Sequence, residues 1–317
     1  NLFMNENFDI ICIGEGLVEL SAQDSLTYAQ SFNKYYGGDA LCAAVAAARL
    51  GSRVGFISRI GNDYFKDFLL ESMQMDGLDT SHIKIVEGVN GVYFVARPND
   101  NDKTKEFAYY RKKTAVLNLS VDDIAFDYLE KTRILYSSGM IQSLSPSYDE
   151  ALRESFKFAK ENGILTAYDP NYSSSTVDLN GAREYFDSIV EYVDILLLNA
   201  EHDAQSLIEL PAPEKIIRYM NDRGVSVVVV RNGKEGYTVG YNGEIKHFPS
   251  IITNPVDTTN NGDAFNGGFL HGIASGYPPF EAAQLASVVA KYQAKQIGAI
   301  KSLPYKDEIY SEFRNKI

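Results

Sequence analysis

Asp257-Thr258-Thr259-Asn260-Asn261-Gly262-Asp263-Ala264-Phe265-Asn266-Gly267-Gly268-Phe269 is the most informative run in this chain of 317 residues. It follows an extended, proline-containing stretch, 251–256, and passes into apolar residues, so a helix is expected to open near Gly262. The first turn of a helix leaves backbone N–H groups without intrahelical acceptors, and these groups together with the helix dipole attract anions. Asp263 falls in that turn. A carboxylate there can complement the dipole as a cap or act as a general base beside a bound phosphate, and spacing alone favours the cap.

Upstream, short β-branched runs alternate with segments of helical period. Strands are expected over 8–14, 54–58, 134–137, 164–169, 194–198 and 225–230. Helices are expected over 39–50, 65–75, 148–161, 181–190 and 212–222, and two should close the chain, one from near Gly262 and one over 279–296. This rhythm predicts an α/β fold with a mainly parallel central sheet and helices on both faces. Two stretches break it. Leu17 to Tyr36 and Gly91 to Tyr110 alternate in strand fashion without an intervening helix, with Val92, Phe94 and Ala96 set against Tyr93, Val95 and Arg97. They predict a small β lid, built from about 15–37 and 88–112, inserted into one domain spanning 1–317. Length alone raises the alternative of two domains.

Composition narrows the function. With 45% hydrophobic and 23% charged residues the chain can bury a large core, which excludes disorder as its overall state. Thirty Lys and Arg against 42 Asp and Glu give a net charge of −12, which disfavours nucleic acid and anionic membrane as partners. The two cysteines, Cys12 and Cys42, lie in apolar stretches and can build neither a disulfide framework nor a multi-cysteine metal site, as suits a reducing cytoplasm. No apolar run approaches the roughly 20 residues that span a bilayer, and residues 1–9 lack the basic-then-apolar order of an export signal.

Several familiar motifs fail. Gly14-Glu15-Gly16-Leu17-Val18-Glu19 has two glycines of a dinucleotide fingerprint but puts Glu19 where the third must sit, and a carboxylate there would repel a pyrophosphate. The only Gly-Lys pair, Gly233-Lys234, is followed by Glu235, which excludes a Walker-type phosphate loop. His82, His202, His247 and His271 have no zinc-ligand spacing.

Asp-Thr-Thr at 257–259, then Gly-Asp-Ala-Phe at 262–265 and a small pair before Phe269, resembles the C-terminal signature of the ribokinase-like (PfkB) carbohydrate kinases. Gly37-Gly38-Asp39-Ala40-Leu41, the Ala-rich segment ending in Arg49-Leu50-Gly51, and Arg59-Ile60-Gly61-Asn62-Asp63 are similar to the family's sugar-binding segment. The resemblance covers essentially the whole chain in the right order. Within the family it is strongest to 2-keto-3-deoxygluconate kinases, whose acidic-sugar segment is similar to Glu106-Phe107-Ala108-Tyr109-Tyr110-Arg111-Lys112. Ser138-Gly139-Met140, Leu144-Ser145-Pro146 and Asp169-Pro170-Asn171-Tyr172 also resemble their segments.

The resemblance implies an ATP-dependent sugar kinase assisted by Mg²⁺, with 2-keto-3-deoxygluconate as acceptor, or a neutral sugar such as fructose. Asp263 would be the general base, with Asn260, Asn261 and Gly262 forming the anion site around it. Gly38, Asp39, Tyr93, Tyr109, Arg111 and Asn171 would meet the sugar, and Asn199, Glu201, Arg231, Gly233 and Gly236 the nucleotide. On an Arg beside tyrosines the fork can hold a carboxylate while a ring covers the apolar side, although an exposed lid Arg with core tyrosines would read the same way. The family often binds a monovalent cation where this chain has Asp257 and 297–302, and often pairs its lids in a homodimer.

The chain also departs from the family. Asn260-Asn261 stand where the family has Gly-Ala; asparagine tolerates φ > 0, so the turn can survive, but the side chains either fill room near the γ-phosphate or add amide donors there. The carboxylate of the family's Asn-x-x-Glu element comes one residue early in Asn199-Ala200-Glu201-His202, about 100° around a helix. Ser173 replaces an Arg that would be a second carboxylate contact, Arg231 stands for a Lys, and Cys42 replaces a polar residue. These changes motivate the alternative of a kinase-fold protein that binds sugar or nucleotide with little turnover.

Overall fold

The computed structural model describes residues 8–100, 104–174 and 177–315. In chain order the elements begin with β1 (Phe8–Ile13), β2 (Leu17–Ala22), β3 (Asn33–Gly37), α1 (Asp39–Arg49), β4 (Val54–Gly61), α2 (Lys66–Met75), β5 (Leu78–Asp79), β6 (Ile83–Val86), β7 (Gly91–Ala96) and β8 (Glu106–Tyr110). They continue with a one-turn α3 (Phe126–Leu129), β9 (Thr132–Ser138), α4 (Pro146–Glu161), β10 (Leu165–Asp169), α5 (Leu179–Val190) and β11 (Ile195–Asn199). After a π-helix (Ala200–Ile208) come α6 (Pro213–Asp222), β12 (Val227–Arg231), β13 (Tyr237–Tyr241), β14 (Glu244–Phe248), α7 (Asn261–Ala274), α8 (Pro279–Gln293) and α9 (Lys306–Arg314).

The main sheet runs β14-β13-β12-β11-β10-β9-β1-β4-β5, with β6 extending the β4 pairing. From β12 to β5 every pairing is parallel, and only the β12–β13 and β13–β14 pairings are antiparallel. Alternation along the buried strands explains the layers on both sides. Ile10, Cys12, Val227 and Val229 face a core shared with α1, α7 and α8, whereas Ile11, Ile13, Val228 and Val230 face one shared with α4, α5 and α6. Each Val, Leu, Ile or Phe fully buried in these layers contributes about 1.5–3 kcal/mol. α1 is mostly alanine and buries all of Asp39–Ala47, because small side chains let it lie close between sheet and α7.

A second sheet runs β3-β2-β7-β8, with β2 and β7 parallel and the outer pairings antiparallel. Its strands come from the two stretches that broke the α/β rhythm. Outside the sequence expectations lie the short β5, β6 and α3, the β13–β14 hairpin, the π-helix, and α9 after the two expected closing helices. α9 is short and polar, burying only Ile309 and Phe313, and it starts from a capping arrangement between Tyr305 and Glu308 that gives no long apolar period to read.

Candidate active site

The carboxyl ends of β1, β9, β10, β11 and β12 converge on one cleft of about 260 Å³, with lid residues on its other side. Parallel α/β sheets bind ligands at this edge because the chain diverges there. The cleft is smaller than the ~300–1,000 Å³ usual for drug-sized ligands, which suits a small, polar one. Gly38, Asp39, Tyr93, Tyr109, Arg111, Asn171, Asn199, Arg231, Asn260, Asn261, Gly262 and Asp263 line it.

α7 aims its N-terminus into the cleft. Asn260 adopts the left-handed conformation, φ 56°, ψ 25°, immediately before the helix. Asparagine tolerates this region better than most residues, which explains how the turn forms where the family has glycine. The Asn261 side chain is directed away from the anion site: its amide donates to Ala290 O at 2.8 Å and Gln293 Oε1 at 2.7 Å on α8. The expectation that this amide crowds or serves a phosphate is therefore corrected. At Gly262 a Cβ would lie 2.1 Å from Arg231 Nη1, so the missing side chain lets the guanidinium lie against the helix start.

Asp263 is buried in this first turn. Desolvation raises its pKa well above the 3.8 of a free aspartate, the charges of Asp39 and Asp169 add to the shift, and Arg231 opposes it. Asp39 opens α1 across the cleft, where burial also raises its pKa. Its carboxylate accepts from Ala40 N at 2.7 Å, from Asn171 Nδ2 at 2.9 Å and from the Ser138 hydroxyl. Gly38 precedes it at φ 140°, with any Cβ 2.4 Å from Glu15 O, so both conformation and space demand glycine.

On the opposite side Arg231, at the end of β12, donates to Asp169 Oδ2 at 2.9 Å, and Asn266 on α7 donates to the same oxygen at 2.7 Å. Asn199 caps the π-helix, accepting from the N–H groups of Glu201 and His202. Glu201 itself is exposed and does not line the cleft; neither do Gly233 and Gly236, which form the turn from β12 to β13. The carboxylate that the π-helix delivers is Asp203, held by Asn199 N and Tyr172 N at 2.8 Å each. Burial, then the Asp169 charge, pushes its pKa up to about 7. π-Turns often mark functional sites, and the wider turn moves the carboxylate position relative to an α-helix.

The lid supplies the remaining wall. Tyr93 donates to Glu19 Oε1 at 2.6 Å and stacks on half-exposed Tyr109 with centroids 5.3 Å apart. Arg111 is bonded to the buried carboxylate of Glu15, the residue after Gly14 that ends the first strand turn. Its charge is thus already paired within the protein, and its side chain is largely buried rather than exposed on the lid. Burial lowers its pKa to about 10, which leaves it protonated at neutral pH. Asp257 lies behind α7 in contact with Arg97 and Lys105 rather than on the cleft wall. Glu15, Asp169, His202 and Asp203 line the cleft without having been singled out as site residues. A charged residue ending a buried strand signals Glu15 and Asp169; Asp203 has no such signal without the π-turn.

A family model described as pfkB family carbohydrate kinase matches residues 7–306. An ATP-dependent 6-phosphofructokinase of Thermoanaerobacterium thermosaccharolyticum is 29% identical over 98% of this chain and 96% of its own length. A 5-dehydro-2-deoxygluconokinase of Clostridium perfringens is 28% identical, covering 98% and 93%. A 2-dehydro-3-deoxygluconokinase of Thermoproteus tenax is 29% identical, covering 93% and 91%. Among solved structures, a sugar kinase of Pyrococcus horikoshii in complex with ATP superposes with a TM-score of 0.79 at 27% identity, over 97% of this chain and all of that one.

Proposed function

The chain belongs to the pfkB family of carbohydrate kinases, and from that premise we propose that it transfers the γ-phosphoryl group of ATP to a hydroxyl of a small sugar acid of the keto-deoxygluconate class. The observation that carries this reading is the meeting of Asp263, the α7 N-terminus, Asp39 and Arg111 in one cleft. Asp39 and Asn171 hold sugar hydroxyls. Asp263 accepts the proton of the reacting hydroxyl as its oxygen bonds to the γ-phosphorus, and the bond to the ADP oxygen breaks. The first-turn N–H groups of α7 and Arg231 stabilise the charge on the transferred group.

A magnesium ion, when bound with the nucleotide, supplies further charge neutralisation on the phosphates. Asp203, a buried carboxylate with raised proton affinity, and Asn199 are the oxygen donors on that side. Among the described residues no three His, Cys, Asp or Glu are grouped to hold a metal unaided, which fits an ion carried largely by phosphates and water. The geometry of Asp263 and Arg231 favours turnover over the alternative of a binding protein. ATP supply and the two buried free thiols suit the cytosol. β8 is an edge strand with Phe107, Tyr109 and Tyr110 exposed, and we infer that a second copy covers it in a lid-to-lid homodimer.

The pairing of Arg111 with Glu15 favours a second reading, a neutral sugar such as fructose, because a carboxylate ligand must share the guanidinium with Glu15. A coupled assay of ATP consumption decides. If the first reading holds, kcat/KM for 2-keto-3-deoxygluconate exceeds that for fructose, Glu15→Gln widens the ratio, and Arg111→Ala narrows it by about ten- to a hundredfold, as losing a charge-assisted bond implies. An unchanged ratio in Arg111→Ala gives the neutral sugar precedence.

A further inference from the structure

The family's monovalent-cation position falls at Asp257 and 297–302, and the residues there do not fit such an ion. Asp257 is fully buried. Its Oδ2 accepts from Arg97 Nη2 at 2.5 Å and from Gly298 N at 3.0 Å. Its Oδ1 accepts from Thr259 N at 2.9 Å and lies 3.7 Å from Lys105 Nζ. Two protein cations therefore already face one carboxylate. The nearby buried Glu19 does not supply the missing negative charge: desolvation pushes its pKa up to about 7, and even when ionised it only brings the four groups to neutrality. The surrounding carbonyls are engaged too, Thr259 O by Gln293 Nε2 at 3.1 Å, Gly298 O by the Ser302 hydroxyl, and Ile300 O by Arg49 Nη1 at 3.0 Å.

Arg97 follows the last residue of lid strand β7 and is itself buried. Its guanidinium donates to Ser21 Oγ on β2 at 3.2 Å and to Thr259 Oγ1 at 3.1 Å as well as to Asp257. It thus joins the lid to the loop that leads directly into Asn260 and the α7 N-terminus. We propose that Arg97 is a built-in cation: it occupies the place beside Asp257 that an alkali ion would take, so that the lid, not the salt, sets the loop of the anion site. Arg97 is a positioning residue, acting on the transferred phosphoryl group through Asp257, Thr259 and α7. The proposal rests on the kinase reading only for its turnover arm.

The test compares the full chain in K⁺, Na⁺ and tetramethylammonium chloride at constant ionic strength. An ion that binds the native state selectively raises the melting temperature, so melting reads the site without any sugar and stands even if the acceptor is misassigned. The wild type is expected to melt at the same temperature in K⁺ and tetramethylammonium, and its kcat to differ by less than about twofold. Arg97→Ala should lose about 10–100-fold in kcat through misplacement of the loop, with part of the loss restored by K⁺ but not by tetramethylammonium. Arg97→Lys, which keeps the charge without the fork, should recover part of the loss in every salt. K⁺-selective stabilisation of the wild type, or its activation by K⁺ of about tenfold or more, overturns the proposal. If Arg97→Ala does not fold, the wild-type salt comparison alone decides.

Discussion

Gly262 and Arg231 illustrate how a single atom shapes the site. With a Cβ at 2.1 Å from Nη1, alanine at 262 must push the guanidinium off the helix start. Gly262→Ala is expected to leave the protein folded, because Arg231 is the movable partner, while lowering kcat by about a hundredfold. Steady-state kinetics beside a thermal melt would check this, and near-normal turnover would remove Arg231 from the transfer step. Gly38, Asp39 and Asp263 were legible because they stand in the two signature motifs, and at Gly38 the backbone itself demands the residue type. The partner of Arg111 was hidden because Glu15 is 96 residues away in sequence, and only the fold brings the two charges together.

At the scale of the element, the asparagines of the α7 entry have separate roles. Asn260 meets a left-handed conformation, and glycine there would relax it; Asn261 ties α7 to α8 with two side-chain bonds. Asn260→Gly should therefore be close to neutral for stability and kcat. Asn261→Ala leaves Ala290 O and Gln293 short of a donor and should cost about 1–3 kcal/mol in denaturant unfolding. Equal effects of the two substitutions would contradict this division. The buried strands and longer helices were legible because periods of two and 3.6 residues survive in the sequence. The π-helix was not: its 9 residues look like an ordinary helix start, and the wider turn makes Asp203 rather than Glu201 the inward carboxylate.

Taken as a whole, the molecule gathers carboxyl groups in its interior as well as on its surface. Desolvation raises Asp39, Asp203, Asp263 and Glu19, with Asp203 and Glu19 both reaching about 7. The folded state then binds protons more tightly than the unfolded chain, so these groups stabilise most at low pH, and that contribution is lost as pH rises through their folded pKa values. The melting temperature of the ligand-free protein should accordingly be higher at pH 6 than at pH 8, and Asp203→Asn should flatten the difference. Buried His271, lowered to about 4, works in the opposite direction near pH 6, so the deciding quantity is the change of slope between wild type and Asp203→Asn, and an unchanged slope would contradict the raised Asp203. At the same scale, sedimentation of the lid-paired species should give a dimer, and a 35.2 kDa species alone at micromolar concentration would contradict the pairing.

In the transfer step Asp263 takes the proton while α7 holds the phosphate. ATP-dependent phosphorylation by the wild type and Asp263→Asn, with ATP affinity measured on the same samples, separates these two roles. Asp263→Asn is expected to lose ~10²–10⁴ in kcat with ATP affinity nearly unchanged, and the acid limb of the wild-type kcat/KM to lie well above the 3.8 of free aspartate. Wild-type turnover in Asp263→Asn would contradict the proton role and leave Asp263 as a helix cap.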